Sequence, residues 1–430
     1  MIMKRPQKTN RTLTKLKAKA PFIIGIVTIA VVVIVGVYIL MRVFASGVFI
    51  QAEPEGGTIS GNASSFNSST ASGGKGVKFN LPADKFTSAI KSESGGTSIK
   101  KGSFASKSKF EGKKYPKYNL VQVADAATTA VRSCSIGPIL DKRLTPEWTS
   151  CETWQETGWR QQGLTGISGS GYSSRKDIML VSWHDGGDNN ARLTVINTTT
   201  KKQIFVSLIA ACDDSDAVCS LGSTNKCAGI HAGGVAWYKM NLLVADSDCI
   251  IVFNVNEVYK LPNGTYVMPA MHYWKRSSGS LTYSSAGINT SGSQPILMLS
   301  EYETGGCGRT NFTWFDLDTT NAQPVLNKGS SDTAAAEGIY SMPQCYAQGL
   351  TYYNGMWFFN TSGSGNDYMY RYRTSRFAPP DTSLLMPKNT PQGIFIDKAN
   401  DLMWALTESP TTNDNNARVF SFPLGQATEQ

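Results

Sequence analysis

The sequence is short of the residues that carry most enzymatic chemistry. It has three histidines in 430 residues, His184, His231 and His272. It contains no C-x-x-C pair, and no histidine stands at zinc spacing from two cysteines, so no metal site is expected. P-loop, nucleophile-elbow, H-E-x-x-H and EF-hand patterns are missing, which removes the commonest signatures of NTPases, α/β-hydrolases, zinc proteases and calcium sensors. Beyond residue 42 no long stretch repeats its apolar residues every 3.6 positions, so a helical body is excluded. Acids are scarce at the start: residues 1–117 carry 5 Asp/Glu against 19 Lys/Arg, whereas the remainder carries 27 against 22. The net charge of +9 therefore belongs to the N-terminal quarter. The rest is mildly acidic, and a nucleic-acid partner is not expected, because neutralising phosphates needs a basic face.

What the N-terminus does have is one apolar run. Pro21 to Met41 is 21 residues without a charge, matching the ~20 needed to cross a bilayer core. Seven basic residues and no acid precede it. This asymmetry predicts a basic cytoplasmic tail over 1–20, a transmembrane signal anchor over 21–42, and a body held outside the cell membrane by a single pass. The rival reading is secretion after cleavage near Ala45 and Gly47, but the run exceeds the ~7–15 residues of an ordinary signal core. The cysteines agree with export. All eight, Cys134, Cys151, Cys212, Cys219, Cys227, Cys249, Cys307 and Cys345, follow the run, and an even count outside the cytosol reads as disulfides. The expected pairs are Cys134–Cys151 and Cys307–Cys345, with Cys212 joined to Cys219 or Cys227.

Residues 47–80 are rich in Gly, Ser and Asn, with short strands expected at Val48–Ile50 and Gly76–Phe79. Gln51-Ala52-Glu53 and Ala71-Ser72-Gly73-Gly74-Lys75-Gly76-Val77 resemble the opening strands of carbohydrate-binding modules of the family 6 and 35 type. The resemblance covers about 34 residues of a module of about 120–140, so it implies a truncated piece without a complete sugar site. It implies a structural calcium near Glu53 at most, and Gln51 replaces the first acid of the family pattern. No other cofactor is expected. Residues 81–117 hold nine lysines and few large apolar side chains, the composition of a basic flexible linker, either a solvated spacer or one that rests on anionic wall polymer or lipid head groups.

The body, 118–425, reads as all-β and repetitive. His231–Ser247 (HAGGVAWYKMNLLVADS) recurs without gaps as Tyr346–Ser362 (YAQGLTYYNGMWFFNTS). Each unit opens on a glycine-led strand, at Gly163, Gly234, Gly349 and Gly393. A continuous apolar strand follows (Ile178–Val181, Leu242–Val244, Met356–Phe359, Leu402–Leu406), then an alternating one. Continuous apolar strands are buried on both faces, as in propeller blades packed between neighbours. Intervals of 71, 115 and 44 residues between these glycines leave room for a degenerate unit at Ile296–Ser300 and Asn311–Phe315. The expectation is a five-bladed β-propeller, with six blades as the alternative. Asn119–Val123 is expected to close the ring as a strand of the last blade, since closure removes exposed edges. Trp159–Leu164 (WRQQGL), Met179–Asp185 (MLVSWHD), His231–Tyr238 (HAGGVAWY), Tyr266–Pro269 (YVMP) and Pro391–Ile394 resemble segments of uncharacterised bacterial secreted β-propeller proteins, a set that implies architecture and export but no activity.

Two rings of candidate residues follow from aligning the units. Before the first strands stand His231, Gln162, Gln348 and Gln392, a set suited to sugar hydroxyls or an ion, or else to hydrogen bonds between blades. At the ends of the second strands stand Trp183, Asp246, Glu301, Thr361 and Glu408, with His184 and Asp185 adjacent. Two opposed carboxylates are what glycoside hydrolysis requires, so Asp185, Asp246, Glu301 and Glu408 are the catalytic candidates, with solvated loop acids as the plain alternative. Trp154, Trp159, Tyr172 and Tyr302 are candidate sugar platforms. The function expected is glycan or envelope-polymer binding rather than catalysis; the alternatives are a glycoside hydrolase or lyase, and a structural or adhesive surface protein.

Overall fold

The computed structural model describes residues 63–67 and 75–79 and, with internal gaps at 94–95, 105–109, 111, 134–140, 154–157, 186–189, 210–230, 303–308, 328, 363–366, 374–379, 381, 388–390 and 409–415, residues 91–428. The chain divides into two compact units, Met1–Leu81 and Pro82–Gln430. In the first, Ala63–Asn67 pairs antiparallel with Lys75–Phe79, from Ala63 opposite Phe79 to Asn67 opposite Lys75. The sequence pattern marks the second of these strands; the first lies in what reads as spacer. Val48–Ile50 and Glu53 lie outside the described residues.

Among the described residues the second unit holds a 13-stranded sheet, a five-stranded sheet and two four-stranded sheets; the first falls into two parts, I and II, and each part or sheet is a four-stranded antiparallel meander or close to it. Sheet I is Trp159–Gly166, Ile178–Asp185, Ala191–Asn197 and Lys202–Ile209. Sheet II is Gly234–Tyr238, Asn241–Asp246, Cys249–Asn254 and Tyr266–Ser278. Sheet III is Ser285–Asn289, Ile296–Ser300, Thr310–Asp316 and Ile339–Met342. Sheet IV is Ala347–Tyr353, Met356–Thr361, Tyr368–Arg373 and Thr382–Leu385. Sheet V is Pro391–Asp397, Leu402–Thr407, Asn416–Pro423 and, from far earlier in the chain, Trp148–Thr153.

The first strands touch in a closed cycle, I to II to III to IV to V and back to I. The glycines permit it. A Cβ on Gly163 would lie 2.6 Å from the Val235 nitrogen, one on Gly234 1.9 Å from that of Ala286, and one on Gly393 2.6 Å from that of Leu164. In sheet III the corresponding place is held by Ser285, whose hydroxyl bonds that of Ser300 at 2.6 Å.

Among the described residues each gap of the cycle holds its own hydrophobic cluster, and a smaller sixth gathers Phe110, Ile209, Tyr259 and Val267. The second strands supply both sides at once. Leu242 and Val244 face sheet I while Leu243 and Ala245 face sheet III; Trp357 and Phe359 face III while Met356 and Phe358 face V. That is why these strands lack polar alternation. Sheets packed face to face around a closed cycle of inner strands define a β-propeller.

Three expectations need correction. Leu120–Asp125 is a helix, not the closing strand. Asn119 Oδ1 accepts from the Gln122 amide at 2.8 Å and Gln122 Oε1 from the Asn119 amide at 2.9 Å. This capping box starts a helix whose buried face is Leu120, Val123 and Ala124. Trp148–Thr153 closes sheet V instead, Cys151 opposite Arg418.

Second, the lysine-rich stretch is not wholly linker. Lys91–Glu93 pairs with Ile339–Ser341, and Ser98–Ser103 lies between Tyr266–Ser278 and Thr333–Ala335. Edge pairing is made by the backbone and needs little apolar composition. One fully buried side chain, Ile99 beside Trp274 and Leu281, anchors it.

Third, the membrane location is overturned. The helices described are Leu120–Asp125 and Leu424–Thr428, one to two turns each. Among the described residues no helix is long and apolar enough to cross a membrane. Residues 21–42 lie outside the described residues.

Candidate functional site

The starts of the first strands and the ends of the second strands open on one end of the ring. Three first strands begin with a break in register at their Gln-Gly pair, between Gln161 and Leu164, Ala347 and Gly349, and Pro391 and Ile394. A bulge re-aims the residues beside it. Two non-glycine residues just before first strands have left-handed backbone, Ala232 at φ 52° and Tyr346 at φ 60°. Such conformations cost energy and are held only where the surroundings impose them.

Of the four polar residues expected before the first strands, His231 is half-buried. Gln162, Gln348 and Gln392 are all inside. Gln392 holds sheets together: its carbonyl accepts from Asn360 Nδ2 of sheet IV at 2.9 Å, and its Nε2 donates to Glu408 Oε2 at 3.0 Å. In sheet I, Gly163 donates to the Ser182 hydroxyl at 2.8 Å, and that hydroxyl donates to the Ala232 carbonyl of sheet II at 2.9 Å. The imidazoles of His231 and His184, from sheets II and I, pack with centroids 4.2 Å apart. Trp183 points away from this end. Its indole donates to Thr194 Oγ1 at 2.8 Å and sits in the cluster between sheets V and I. Thr361 donates to the Tyr368 carbonyl at 3.2 Å within sheet IV.

Each carboxylate candidate is engaged by its own sheet. Asp185 Oδ2 accepts from Asn190 Nδ2 at 2.6 Å, Asp246 Oδ1 from the His231 amide at 3.0 Å, and Glu301 Oε1 from the Asn311 amide at 3.0 Å. Glu408, besides Gln392, lies 3.7 Å from the Arg160 guanidinium. Among the described residues no group of three or more His, Cys, Asp or Glu could hold a metal ion.

Aromatic side chains complete the mouth. Tyr302, 36 % exposed, lies 5.8 Å centroid to centroid from Tyr346. Its phenol is pushed up chiefly by burial, then by the negative charge of Glu408 and by Tyr346, with a Ser362 hydrogen bond opposing. Tyr302, beside sheet III, thus meets Tyr346 and Ser362 at the two ends of sheet IV strands and lies within the field of Glu408 from sheet V. Of the other candidate platforms, Trp159 lies under the Arg192 guanidinium at 4.2 Å, a cation–π contact. Tyr172 packs on Trp237 at 5.5 Å, and Trp154 lies outside the described residues. Sequence reasoning passed over Arg160, Tyr346 and Ser362. The signal for Tyr346 was in the gapless repeat, where it occupies the position of His231.

Cys151, Cys249 and Cys345 are disulfide-bonded, and no described cysteine is free. Cys134, Cys212, Cys219, Cys227 and Cys307 lie outside the described residues.

The class these features define is the β-propeller. No family model matches the chain, and no curated protein matches it. Among solved structures it is similar to an exo-β-1,3-galactanase from Phanerochaete chrysosporium, captured with β-1,3-galactotriose, at 11 % identity and TM-score 0.35, covering 61 % of this chain and 62 % of that one. It is similar to an α-L-arabinofuranosidase from Lactobacillus brevis at 8 % identity and TM-score 0.33, covering 61 % and 90 %. The Dos1 propeller shows 9 % identity and TM-score 0.26, covering 61 % and 69 %. At such identities and scores these likenesses carry no argument about activity; the assignment to the β-propellers rests on the strand cycle itself.

Proposed function

We infer that the chain is a five-bladed β-propeller, one blade per sheet, whose mouth binds a glycan without cleaving it. The observation that carries the reading is the Tyr302–Tyr346 pair, 5.8 Å apart with Ser362 at the Tyr302 phenol, at the end of the ring where Gln392 and Arg160 meet Glu408. Flat aromatic faces take the apolar side of a sugar ring, and phenols, amides and a carboxylate take its hydroxyls. A binder rather than a hydrolase is supported by the four carboxylates, each committed to an amide or guanidinium of the framework. A general acid needs a carboxyl aimed at substrate.

The test is a glycan array with the full chain, followed by calorimetry and a hydrolysis assay on each hit. Tyr302→Ala and Tyr346→Ala are each expected to weaken binding about ten-fold, the equivalent of one good stacking contact, with no turnover by the unaltered protein. Turnover abolished by Glu301→Gln or Asp246→Asn would replace the binding reading with a hydrolytic one. Undiminished binding in both tyrosine variants would move the site elsewhere.

A further inference from the structure

A second depression lies apart from the mouth, where two turns meet. It measures about 390 Å³ and is lined by Lys114, Tyr115, Pro116, Lys260, Leu261 and Pro262, within the range of about 300–1,000 Å³ that small-molecule sites occupy. Both walls are fixed. Lys117–Tyr118 pairs antiparallel with Val258–Tyr259, and the Lys260 amide donates to the Pro116 carbonyl at 3.0 Å. Phe110 stacks on Tyr259 at 5.5 Å and packs on Tyr115 at 6.3 Å, which pins the first turn. The second is closed by the Leu261 amide to the Thr265 carbonyl at 2.8 Å and the Gly264 amide to the Leu261 carbonyl at 2.9 Å.

The lining residues include two lysines and no acid. The nearby acid, Glu257, is taken by Lys117 at 3.4 Å. Among the described residues neither Lys114 nor Lys260 is in an ion pair, and the Lys260 ammonium instead lies 5.3 Å over the Tyr266 ring. The remaining lining is a tyrosine, two prolines and a leucine, an apolar surface beside the charges.

We propose that this depression binds a carboxylated sugar, a uronate residue of an acidic polysaccharide, with Lys114 and Lys260 on the carboxylate and Tyr115 against the pyranose face. A bare phosphate would answer the ammonium groups but leave the apolar wall unused; a neutral sugar would use the wall and leave the charges unanswered. A uronate satisfies both. Charge-assisted hydrogen bonds from lysine to a carboxylate are among the stronger polar contacts available at a protein surface.

The proposal is independent of the mouth and can be tested separately. The probes are a galacturonate trimer, the matching neutral galactose trimer and inorganic phosphate, titrated into the full chain by calorimetry. The acidic trimer is expected to bind and the neutral one to bind at least about ten-fold more weakly at this site. Lys114→Gln and Lys260→Gln are each expected to cost about ten-fold, as is Tyr115→Ala, and raised salt weakens the acidic trimer. Tyr302→Ala leaves this binding unchanged. Circular dichroism and the thermal midpoint establish that each variant is folded. No binding of the acidic trimer overturns the proposal, as does affinity unchanged in the double lysine variant. Displacement of the trimer by equimolar phosphate, with no effect of Tyr115→Ala, also overturns it, because the site would then read charge alone.

Discussion

Mild acid should weaken this fold through one imidazole. His272 sits on the long strand of sheet II, opposite Val252 on one side and Ser103 on the other, and is 6 % exposed. Its pKa is lowered from 6.5 to about 4, first by burial, then by the positive charge of Lys101, with a Gln323 hydrogen bond acting the other way. Above pH 6.5 the imidazole is neutral in both the folded and the unfolded chain, and no penalty exists. As pH falls below 6.5 the unfolded chain takes up a proton that the folded one refuses until about pH 4. Stability is therefore lost across that window and not further below it. Integrating the difference gives a loss of about 2 kcal/mol between pH 7.5 and pH 5, and about 3 kcal/mol in full. Asp141 and Asp177 also stabilise the fold through ionic hydrogen bonds from Arg143 and Arg175, which lower their pKa values. Their contribution is lost only as pH falls below the ordinary aspartate value of about 4, so it leaves this window nearly untouched. Urea unfolding of the full chain at pH 7.5, 6 and 5, beside His272→Gln, isolates the effect. The variant should lose about 2 kcal/mol less on acidification, whatever its stability at pH 7.5. An identical pH dependence in both proteins would refute the reasoning.

Gly234→Ala forces a Cβ to within 1.9 Å of the Ala286 nitrogen and should cost about 3 kcal/mol or more, or prevent folding. Gly96→Ala, with nothing within 4 Å, should be neutral or stabilise by up to about 1 kcal/mol; paired thermal melts check both. Arg371 is 1 % exposed and donates to the Ala427 carbonyl at 2.6 Å and to Thr382 Oγ1 at 2.9 Å. Arg371→Met should cost about 2–4 kcal/mol and release residues 424–428, seen as faster amide hydrogen exchange there. Reduction of the disulfides at Cys151, Cys249 and Cys345 should lower stability by about 2–4 kcal/mol per bond, and peptide mapping under non-reducing conditions identifies their partners.

The parts of the fold that read clearly in the sequence are those where one physical demand admits few residues. Inner strands in contact need glycine, and Gly163, Gly234, Gly349 and Gly393 announced four sheets. The third was faint because Ser285 fills the place of glycine and bonds Ser300 instead. Second strands sandwiched between sheets must be apolar throughout, and Leu242–Val244 and Met356–Phe359 showed it. The closing strand was hidden because an edge can be polar: WTSCET carries little periodic signal, while Leu120–Val123 looked like a strand and was claimed by its capping box. For the mouth, the repeat marked where first strands start and second strands end. It could not tell that Trp183 turns inward to Thr194, or that Gln392 spends its amide on Glu408. Those choices are made by rotamers and neighbours that strand spacing does not encode.

Tyr266–Ser278 is a 13-residue strand. Its first part runs parallel to Lys202–Ile209, and its later part antiparallel to Cys249–Asn254. Sheets I and II are thus laced to one another directly, strand to strand, by backbone hydrogen bonds. Pulled or heated, that pair should melt as one body, and the ring should part first at a different junction, with the borrowed strand of sheet V as the natural point of rupture.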